Sequence, residues 1–506
     1  MAGRTVTLFA NLVSAPFTIR LLGPTRFGLW SLLQSFYAWA VVADIGMSSA
    51  STKFASERYA HGDAVGESTV VWTAVAITGV CTSALVLAVA LAAPYLLGHL
   101  LHVRDGLLTP GVVAVRVVCL LFVAQALSNT LNTPQLVRLR WRSYSLIANG
   151  AGVFLALGTP IAVAMVGGGV ETASIVGLVS VACGALANLV LALRLQPALL
   201  HPHLDKATFK RLLSYGGALT VAGMAGVLLP TVQRLFLAHN HSTAAVAYYS
   251  VAVTVGTTLY VVPEALVAPL LPGLTRLAAE GRTGEHAALY RKCLSGLFLL
   301  ATPAAIMLAF LGQPFLSLWA GAIYGAHSTG PLVVILVGAW SNALASAPLS
   351  YLLSSGRTKL IAYIQVGVLP PYVVAAYFFT QHLAAVGGAL AWSGTLMVQS
   401  IALFVATRKV APQLAMSPLS TRWVPSLAFP LALASALAMI ALTTERLVSR
   451  LAWVVVLGLV YLVVTWRLGL TPRERDGMAS LAAEAFRRTR GVRADAAAVS
   501  AVAAAR

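Results

Sequence analysis

Residues 69–97 read TVVWTAVAITGVCTSALVLAVALAAPYLL, a stretch without a single charged side chain. A helix of about 20 apolar residues spans a hydrocarbon core of about 30 Å, and it satisfies its own backbone hydrogen bonds in lipid. About fourteen stretches of this kind, this one included, follow one another along the 506-residue chain. We therefore expect an all-α polytopic membrane protein with about 14 transmembrane helices.

The gaps between the predicted helices are too short to fold as separate domains. The helices are predicted at 5–22, 29–51, 69–97, 111–136, 145–167, 173–193, 215–238, 244–270, 293–313, 329–354, 361–380, 387–406, 425–443 and 448–467. Only 10% of the residues are charged, whereas roughly 25% is typical of soluble globular proteins. Function must therefore reside within the helical bundle.

The basic residues indicate the topology. An even number of helices puts both termini on the same side of the membrane. Of the 34 lysines and arginines, 27 fall in loops and tails on that side, four fall on the other side and three lie within helices. Cytoplasmic loops carry an excess of Lys and Arg, so we expect a multi-pass membrane protein with both termini in the cytoplasm. The net charge of +19 is then topological, and no nucleic-acid partner is expected.

Two stretches of the chain repeat the same pattern. Pro16 precedes Arg20 in helix 1, and Pro230 precedes Arg234 in helix 7, at a shift of 214 residues. A similar shift relates Ser128-Asn129 and Pro134 in helix 4 to Ser341-Asn342 and Pro348 in helix 10. A constant shift predicts two six-helix halves in the same orientation, related by a pseudo-twofold axis along the membrane normal, as in some transporters. We expect Arg20 to meet Arg234 when the halves are superposed.

The duplication predicts the domain organisation. The expected parts are an N-terminal six-helix lobe at 1–200, a C-terminal six-helix lobe at 201–410, helices 13 and 14 at 411–470 and a basic, alanine-rich cytoplasmic tail at 471–506. We expect no cleavable signal peptide before the first helix.

The segment Arg20-Leu-Leu-Gly-Pro-Thr-Arg-Phe-Gly-Leu-Trp30, followed by Asp44-Ile-Gly-Met-Ser-Ser-Ala50, resembles the opening of the Wzx-type polysaccharide flippases. These belong to the multidrug/oligosaccharidyl-lipid/polysaccharide exporter superfamily. The resemblance implies a V-shaped bundle in the bacterial plasma (inner) membrane that moves an undecaprenyl-diphosphate-linked oligosaccharide from the cytoplasmic to the periplasmic leaflet. It also implies a polysaccharide polymerase as a candidate partner. The chain lacks the opening signature of the peptidoglycan-precursor branch.

Ionisable groups within membrane helices cost roughly 2.5–3.5 kcal/mol each on insertion scales, so each requires a reason. Arg20, Arg116 and Arg234 are candidates for binding the diphosphate, because a guanidinium binds phosphate bidentately. The alternative is that they reach water from near the helix ends. Asp44 and Glu264 are candidates for binding a coupling ion, a proton or sodium, and the alternative is a structural pairing with arginine or backbone.

Repeated prolines and buried amides are the remaining candidates. Pro16, Pro230, Pro134 and Pro348 are predicted hinges, because proline frees backbone carbonyls within a helix; the alternative is ordinary tolerance of proline in membranes. Several polar side chains could line a cavity for sugars or form interhelical hydrogen bonds: Gln34, Asn129, Asn149, Asn188, Gln233, Asn342, Gln365 and Gln399.

Three other function classes compete with glycan transport. A membrane polymerase or ligase would require acid or base residues on large outer loops, and the sequence offers no such loop, no metal-spaced histidine cluster and no catalytic triad pattern. We therefore expect no catalytic site, no metal and no cofactor. A multidrug/cation antiporter of the same superfamily is the closer alternative, but three arginines against two acids within the helices favour an anion. A scaffold protein would leave those charges without a role.

Overall fold

The computed structural model describes residues 2–38, 46–101, 103, 105–267, 270–412, 432–433, 436–437, 447–464 and 467. The regular elements in these ranges are helices. They are α1 (Ala2–Ala38), α2 (Met47–Ala60), α3 (Ala64–Tyr95), α4 (Asp105–Leu131), α5 (Thr133–Val137), α6 (Trp141–Val166), α7 (Val170–Leu195), α8 (Lys206–Asn240), α9 (Thr243–Gly256), α10 (Val261–Val267), α11 (Leu271–Ala279), α12 (Thr283–Trp319), α13 (Ala322–Ser354), α14 (Thr358–Gly367), α15 (Leu369–Val410) and α16 (Leu447–Val464).

Eight segments among the described residues are long and apolar enough to cross a membrane. They are Ala64–His99, Gly106–Val137, Trp141–Val166, Val170–Leu195, Thr243–Glu264, Thr283–Trp319, Ala322–Ser354 and Thr358–Val410. Large apolar side chains on these segments point outward, with Leu91 72% and Met165 81% exposed. An apolar surface of this kind requires lipid around it. The prediction of an all-helical, multi-pass membrane protein is confirmed.

Two long helices contain a break in their helical geometry. In α1 the break lies at Gly23, whose φ is 67° and ψ 172°. Glycine adopts positive φ without steric cost, and the following Pro24 disfavours helical geometry at the residue before it. In α15 the break lies at Ala384, with φ 48° and ψ −129°. The predicted helix 1 thus ends at this Gly-Pro pair, and the predicted helices 11 and 12 are the two parts of the α14–α15 region.

Short polar side chains fix three helix starts. Asp63 Oδ1 accepts a hydrogen bond from Gly66 N at 2.7 Å, and Asp205 Oδ2 accepts one from Thr208 N at 2.7 Å. Ser242 Oγ accepts one from Ala245 N at 3.2 Å. Each satisfies a backbone donor that the first turn of a helix leaves unpaired, so α3, α8 and α9 begin where the sequence supplies a cap.

The contacts divide the chain into two compact units, of which the first is the larger. It comprises residues 1–258, 312–341 and 359–400. Within it α4 packs against α3 and α7, and α1 packs against α6 and α9. Tyr249 and Tyr372 are among its largest fully buried side chains.

The second unit comprises the described residues within Leu259–Leu311, Asn342–Thr358 and Ile401–Arg506. One of its cores gathers Tyr290, Cys293, Leu297 and Tyr351 from α12 and α13. Another joins Leu299 on α12 to Val454 and Tyr461 on α16. The boundaries of the lobes proposed at 1–200 and 201–410 stay a prediction. Most of the predicted helix at 425–443, and the tail at 471–506, lie outside the described residues.

A buried ion pair ties α3 to the short helix α5. Arg138 Nη1 and Nη2 donate to Glu67 Oε1 and Oε2 at 2.6 and 3.1 Å. Arg138 Nη2 also donates to Gln196 Oε1 at 3.0 Å. Glu67 is 1% exposed. Bidentate pairs of this kind are strong, and removal of one partner leaves a charge that the other must carry alone.

We expect Glu67→Gln to destabilise the protein by about 1–2 kcal/mol, since the amide keeps one acceptor but leaves Arg138 without a countercharge. The measurement is thermal unfolding of the full-length protein in detergent. Arg138→Gln combined with Glu67→Gln should recover part of the loss, because the lone charge is then gone. A double variant as unstable as the sum of both single variants would contradict this pairing.

Candidate functional site

Arg234 lies on α8, about two turns before the helix ends at Asn240, and its side chain is half-buried. Its Nη1 donates a hydrogen bond to Ser35 Oγ on α1 at 2.7 Å. Its Nε is buried and has no hydrogen-bond partner in the described part of the structure. Ser35 in turn donates to the Ser31 carbonyl at 3.0 Å. Among the described residues, the guanidinium is therefore fixed by the hydrogen bond from Nη1 to Ser35 and not through Nε.

Neutral polar groups surround this guanidinium. Gln233 Nε2 donates to Tyr249 Oη on α9 at 2.6 Å, and Tyr372 Oη on α15 donates to Gln233 Oε1. Arg234 lies close enough to both phenols to interact with them electrostatically. Among the described residues no carboxylate pairs with Arg234. A guanidinium without a countercharge among the described residues is costly in a low-dielectric interior, so this site favours an anion.

Arg20 has a different environment. It is exposed near the end of the first part of α1, and its Nη2 donates to the carbonyl oxygen of Leu318, one residue before α12 ends. Trp319 Nε1 at the same helix end donates to the Leu12 carbonyl at 3.2 Å. A cation at a helix C-terminus is favourable, because the last four carbonyls lack intrahelical partners. The contact gives Arg20 a structural role that the sequence did not indicate.

The remaining ionisable candidates are less informative. Arg116 on α4 and Glu264 on α10 are both exposed. Asp44 lies outside the described residues. The described contacts thus bring Arg234 alone, among the five, into a partly buried polar cluster.

The predicted hinges occupy three kinds of position. Pro16 lies within α1, but the break in that helix is at Gly23. Pro134 lies at the start of α5, where the chain leaves α4, and it therefore marks a real helix end. Pro348 is buried within α13, and Pro230 lies within α8. Their hinge role stays a prediction.

One predicted polar residue forms an interhelical hydrogen-bond network. Asn188 on α7 donates through Nδ2 to Ser128 Oγ on α4 at 2.8 Å, and it accepts from Gln135 Nε2 on α5 at 2.7 Å. All three side chains are buried. Here the alternative of interhelical bonding explains the amide better than a sugar-lined cavity does.

The second part of α1 packs very closely against α9. Ser31 Oγ donates to Ser250 Oγ at 2.6 Å. A Cβ added at Gly28 would overlap the carbonyl oxygen of Thr243 and lie 2.5 Å from the carbonyl carbon. Only glycine permits this approach of a helix to neighbouring backbone. The Arg234–Ser35 hydrogen bond lies one to two turns farther along the same part of α1.

Sequence reasoning did not find several members of these contacts. Ser35, Tyr249 and Tyr372 are common residue types in apolar helices, and nothing in their spacing relates them to Arg234. Gln233 was among the candidate amides. Within the described ranges, no group of three or more His, Cys, Asp or Glu side chains could hold a metal ion.

Comparison with known proteins identifies the fold and the family. The solved structure of the lipid II flippase MurJ, in an inward closed conformation, superposes with a TM-score of 0.72 at 12% identity, over 92% of this chain and 98% of that chain. An inward-facing multidrug resistance MATE family transporter of the MOP superfamily gives a TM-score of 0.66 at 14% identity, over 81% of this chain and 96% of that chain. The chain therefore has the MATE/MurJ fold.

Sequence similarity is more specific. The chain is 28% identical over 201 residues to the "Putative O-antigen transporter" of Shigella flexneri, a match that covers 40% of this chain and 47% of the relative. This chain thus spans about half the length of that relative. The family model for "Polysaccharide biosynthesis protein" matches residues 18–327. Because this match covers more than half of the 506 residues, the chain belongs to the polysaccharide biosynthesis protein family, which confirms the predicted resemblance to the Wzx-type flippases.

Proposed function

We propose that this protein is a flippase that moves an undecaprenyl-diphosphate-linked oligosaccharide from the cytoplasmic to the periplasmic leaflet by alternating access. The observation that carries the proposal is the half-buried Arg234 guanidinium, which among the described residues has neutral partners and one buried N–H without a hydrogen-bond acceptor. A diphosphate supplies the missing charge and accepts from the free donor. The name of the Shigella flexneri relative refers to transport of O-antigen, a related class of cargo.

A multidrug/cation antiporter would share the fold but should present acids to its cargo. Glu264 is exposed, and the partly buried charged cluster described above is cationic. The local charge therefore supports an anionic substrate.

Three backbone landmarks support a duplication of the six-helix unit. Each landmark is a pair of residues with positive φ, one early and one later in the chain. The pairs are Gly62 with Gly281, Leu139 with Gly356, and Gly167 with Ala384, at shifts of 219, 217 and 217 residues. Two pairs of helices start at the same shifts. Ala64 of α3 corresponds to Thr283 of α12, and Trp141 of α6 corresponds to Thr358 of α14.

These shifts exceed by three to five residues the value of 214 taken from the Pro–Arg pattern. At shifts of 217–219 residues the counterpart of Arg20 falls at positions 237–239 of α8. Since a helical turn has 3.6 residues and rises 5.4 Å, Arg234 lies about one turn farther from the end of α8 than that counterpart. At these shifts Arg20 does not align with Arg234, and the pairing of the two arginines stays a prediction. The shifts agree with the different environments of the two arginines.

The membrane potential is sufficient to drive the proposed movement. About two negative charges that leave a cell 100 mV negative inside gain roughly 4.6 kcal/mol, at ~2.3 kcal/mol per charge. Entry of a proton or sodium ion through Asp44 or Glu264 would add to this drive.

The decisive experiment is to remove the protein and to analyse the lipid-linked sugars by mass spectrometry. We expect an undecaprenyl-diphosphate-linked oligosaccharide to accumulate on the cytoplasmic leaflet. Unchanged lipid-linked sugars, with normal surface polysaccharide, would contradict the proposal.

The proposed orientation makes a separate prediction. We expect the segments around Arg140, Lys210, Arg282 and Lys409 to be cytoplasmic, because 27 of the 31 basic residues outside the transmembrane helices predicted from the sequence fall on that side. Single cysteines placed there in a cysteine-free variant should resist an impermeant thiol reagent in intact cells and react after lysis. Labelling near Lys210 in intact cells would reverse the topology.

A further inference from the structure

A groove of about 450 Å³ lies between α3 and the beginning of α8. One face of α3 contributes Ile77, Val80 and Cys81, and α8 contributes Phe209 and Leu213. The wall is almost entirely apolar. This groove is separate from the Arg234 cluster, which lies more than five turns farther along α8.

A candidate membrane span and exposed apolar side chains border the open side of the groove, so we expect that side to face the hydrocarbon region. The α3 part of the wall belongs to a segment, Ala64–His99, that is long and apolar enough to cross the membrane. Val80 is 70% exposed, and Phe209 and Leu213 are also exposed. In a bilayer an apolar groove that opens to lipid holds a hydrocarbon chain, because neither water nor a polar group is stable there.

The mouth of the groove is basic. Lys206 lines the groove. Lys210 lies one turn farther along the same face of α8, and both lysines are exposed. Neither makes a hydrogen bond or an ion pair within the described part of the chain. Arg211 is next to them and is only 3.7 Å from Glu57 in an exposed pair, which is a weak interaction.

The one acid at the mouth is already engaged. Asp205 accepts hydrogen bonds from Thr208 N and Thr208 Oγ1, each at 2.7 Å. These bonds lower the pKa of Asp205 below its ordinary value, so it stays ionised as the cap of α8. Its charge is offset by the helix N-terminus, which leaves the two lysines available for an anion.

We propose that this groove binds an acyl chain of an anionic phospholipid, whose phosphate lies against Lys206 and Lys210. The juxtaposition of an apolar groove with two exposed lysines that have no ion-pair partner among the described residues carries this inference. It depends on the membrane-spanning position of α3 and not on the transported substrate.

The test uses the full-length protein in nanodiscs of phosphatidylcholine with a trace of photoreactive phosphatidylglycerol that carries a diazirine on one acyl chain. Mass spectrometry should locate the crosslinks in the peptides around 73–81 and 204–213. Unlabelled phosphatidylglycerol should compete, and unlabelled phosphatidylcholine should not. Lys206→Gln with Lys210→Gln should reduce crosslinking about 25-fold, at about fivefold per lysine, which is ~1 kcal/mol each.

Two further variants test the parts of the site. Val80→Trp should block crosslinking by filling the groove while leaving the lysines in place. Arg140→Gln with Arg142→Gln is the matched control, because it removes two exposed basic residues at the start of α6 and should have no effect. All variants must elute as the unaltered protein does in gel filtration.

Two results would overturn the proposal. Equal crosslinking by photoreactive phosphatidylcholine would mean that the groove holds hydrocarbon without selecting the headgroup. Competition by undecaprenyl diphosphate, but not by phosphatidylglycerol, would assign the groove to the transported lipid instead.

Discussion

Arg234→Ala is expected to reduce export by the proposed flippase about 10- to 100-fold without lowering the amount of protein in the membrane. A hydrogen bond to a charged group contributes about 1.5–3 kcal/mol, and each 1.4 kcal/mol is a factor of ten. The substitution removes the cation that lies beside Ser35 and near Tyr249 and Tyr372. Arg234→Lys should restore part of the export, because the charge remains while the bidentate fork is lost.

The structure provides a matched control for this variant. Arg20→Ala removes an arginine that lies on the Leu318 carbonyl and should therefore reduce export by less than Arg234→Ala. Export is measured as surface polysaccharide and as accumulated lipid-linked precursor, each normalised to the immunoblotted protein. Normal export in Arg234→Ala would remove this residue from the mechanism. A larger defect in Arg20→Ala would show that the sequence pattern, and not the described contacts, identifies the functional arginine.

The sequence predicts the fold class well, because lipid constrains it strongly. Apolar length alone identified α3, α4, α6 and α7 as spans, since a backbone in lipid has few alternatives to a helix. The opening motif likewise indicated the family that the match over residues 18–327 establishes. Both signals are local in the sequence.

The site was harder to predict, because its contacts join distant parts of the chain. Arg20 and Arg234 have the same Pro–Arg spacing and yet differ in environment. Arg20 lies three residues before the break at Gly23, whereas α8 continues past Arg234 to Asn240. Arg20, close to the break in α1, reaches the C-terminus of α12. Arg234, farther from the end of α8, stays among side chains. The Glu67–Arg138 pair was missed for a related reason, because each residue looked like an ordinary loop charge.

Gly28→Ala should have a comparably large effect through a purely steric cause. The added Cβ would overlap the Thr243 carbonyl oxygen and lie 2.5 Å from its carbon and 3.2 Å from Ala247 N. Backbone atoms cannot rotate away as a flexible side chain can, so the second part of α1 and α9 must separate. Ordinary overpacking costs about 1–3 kcal/mol, and a clash with backbone is expected to reach or exceed the upper end of that range.

The contact between these helices can be measured directly. Ser31 and Ser250 lie with their Oγ atoms 2.6 Å apart, so a cysteine pair at these positions probes the contact, because a disulfide forms only between neighbouring Cβ atoms about 3.5–4.5 Å apart. In a cysteine-free background the Ser31→Cys/Ser250→Cys pair should crosslink readily under oxidation. Adding Gly28→Ala should reduce the crosslinked fraction severalfold, and export should fall with it.

A matched glycine separates the steric effect from the change in helix propensity. Gly150 on α6 has open space around the position of an added Cβ, so Gly150→Ala gains helix propensity without a clash and should leave both readouts unchanged. If export by the proposed flippase requires this contact to form and to open, oxidation of the Ser31→Cys/Ser250→Cys pair should also stop export, and reduction should restore it. Full crosslinking and normal export in the Gly28→Ala background would mean that α1 and α9 do not approach this closely in the membrane.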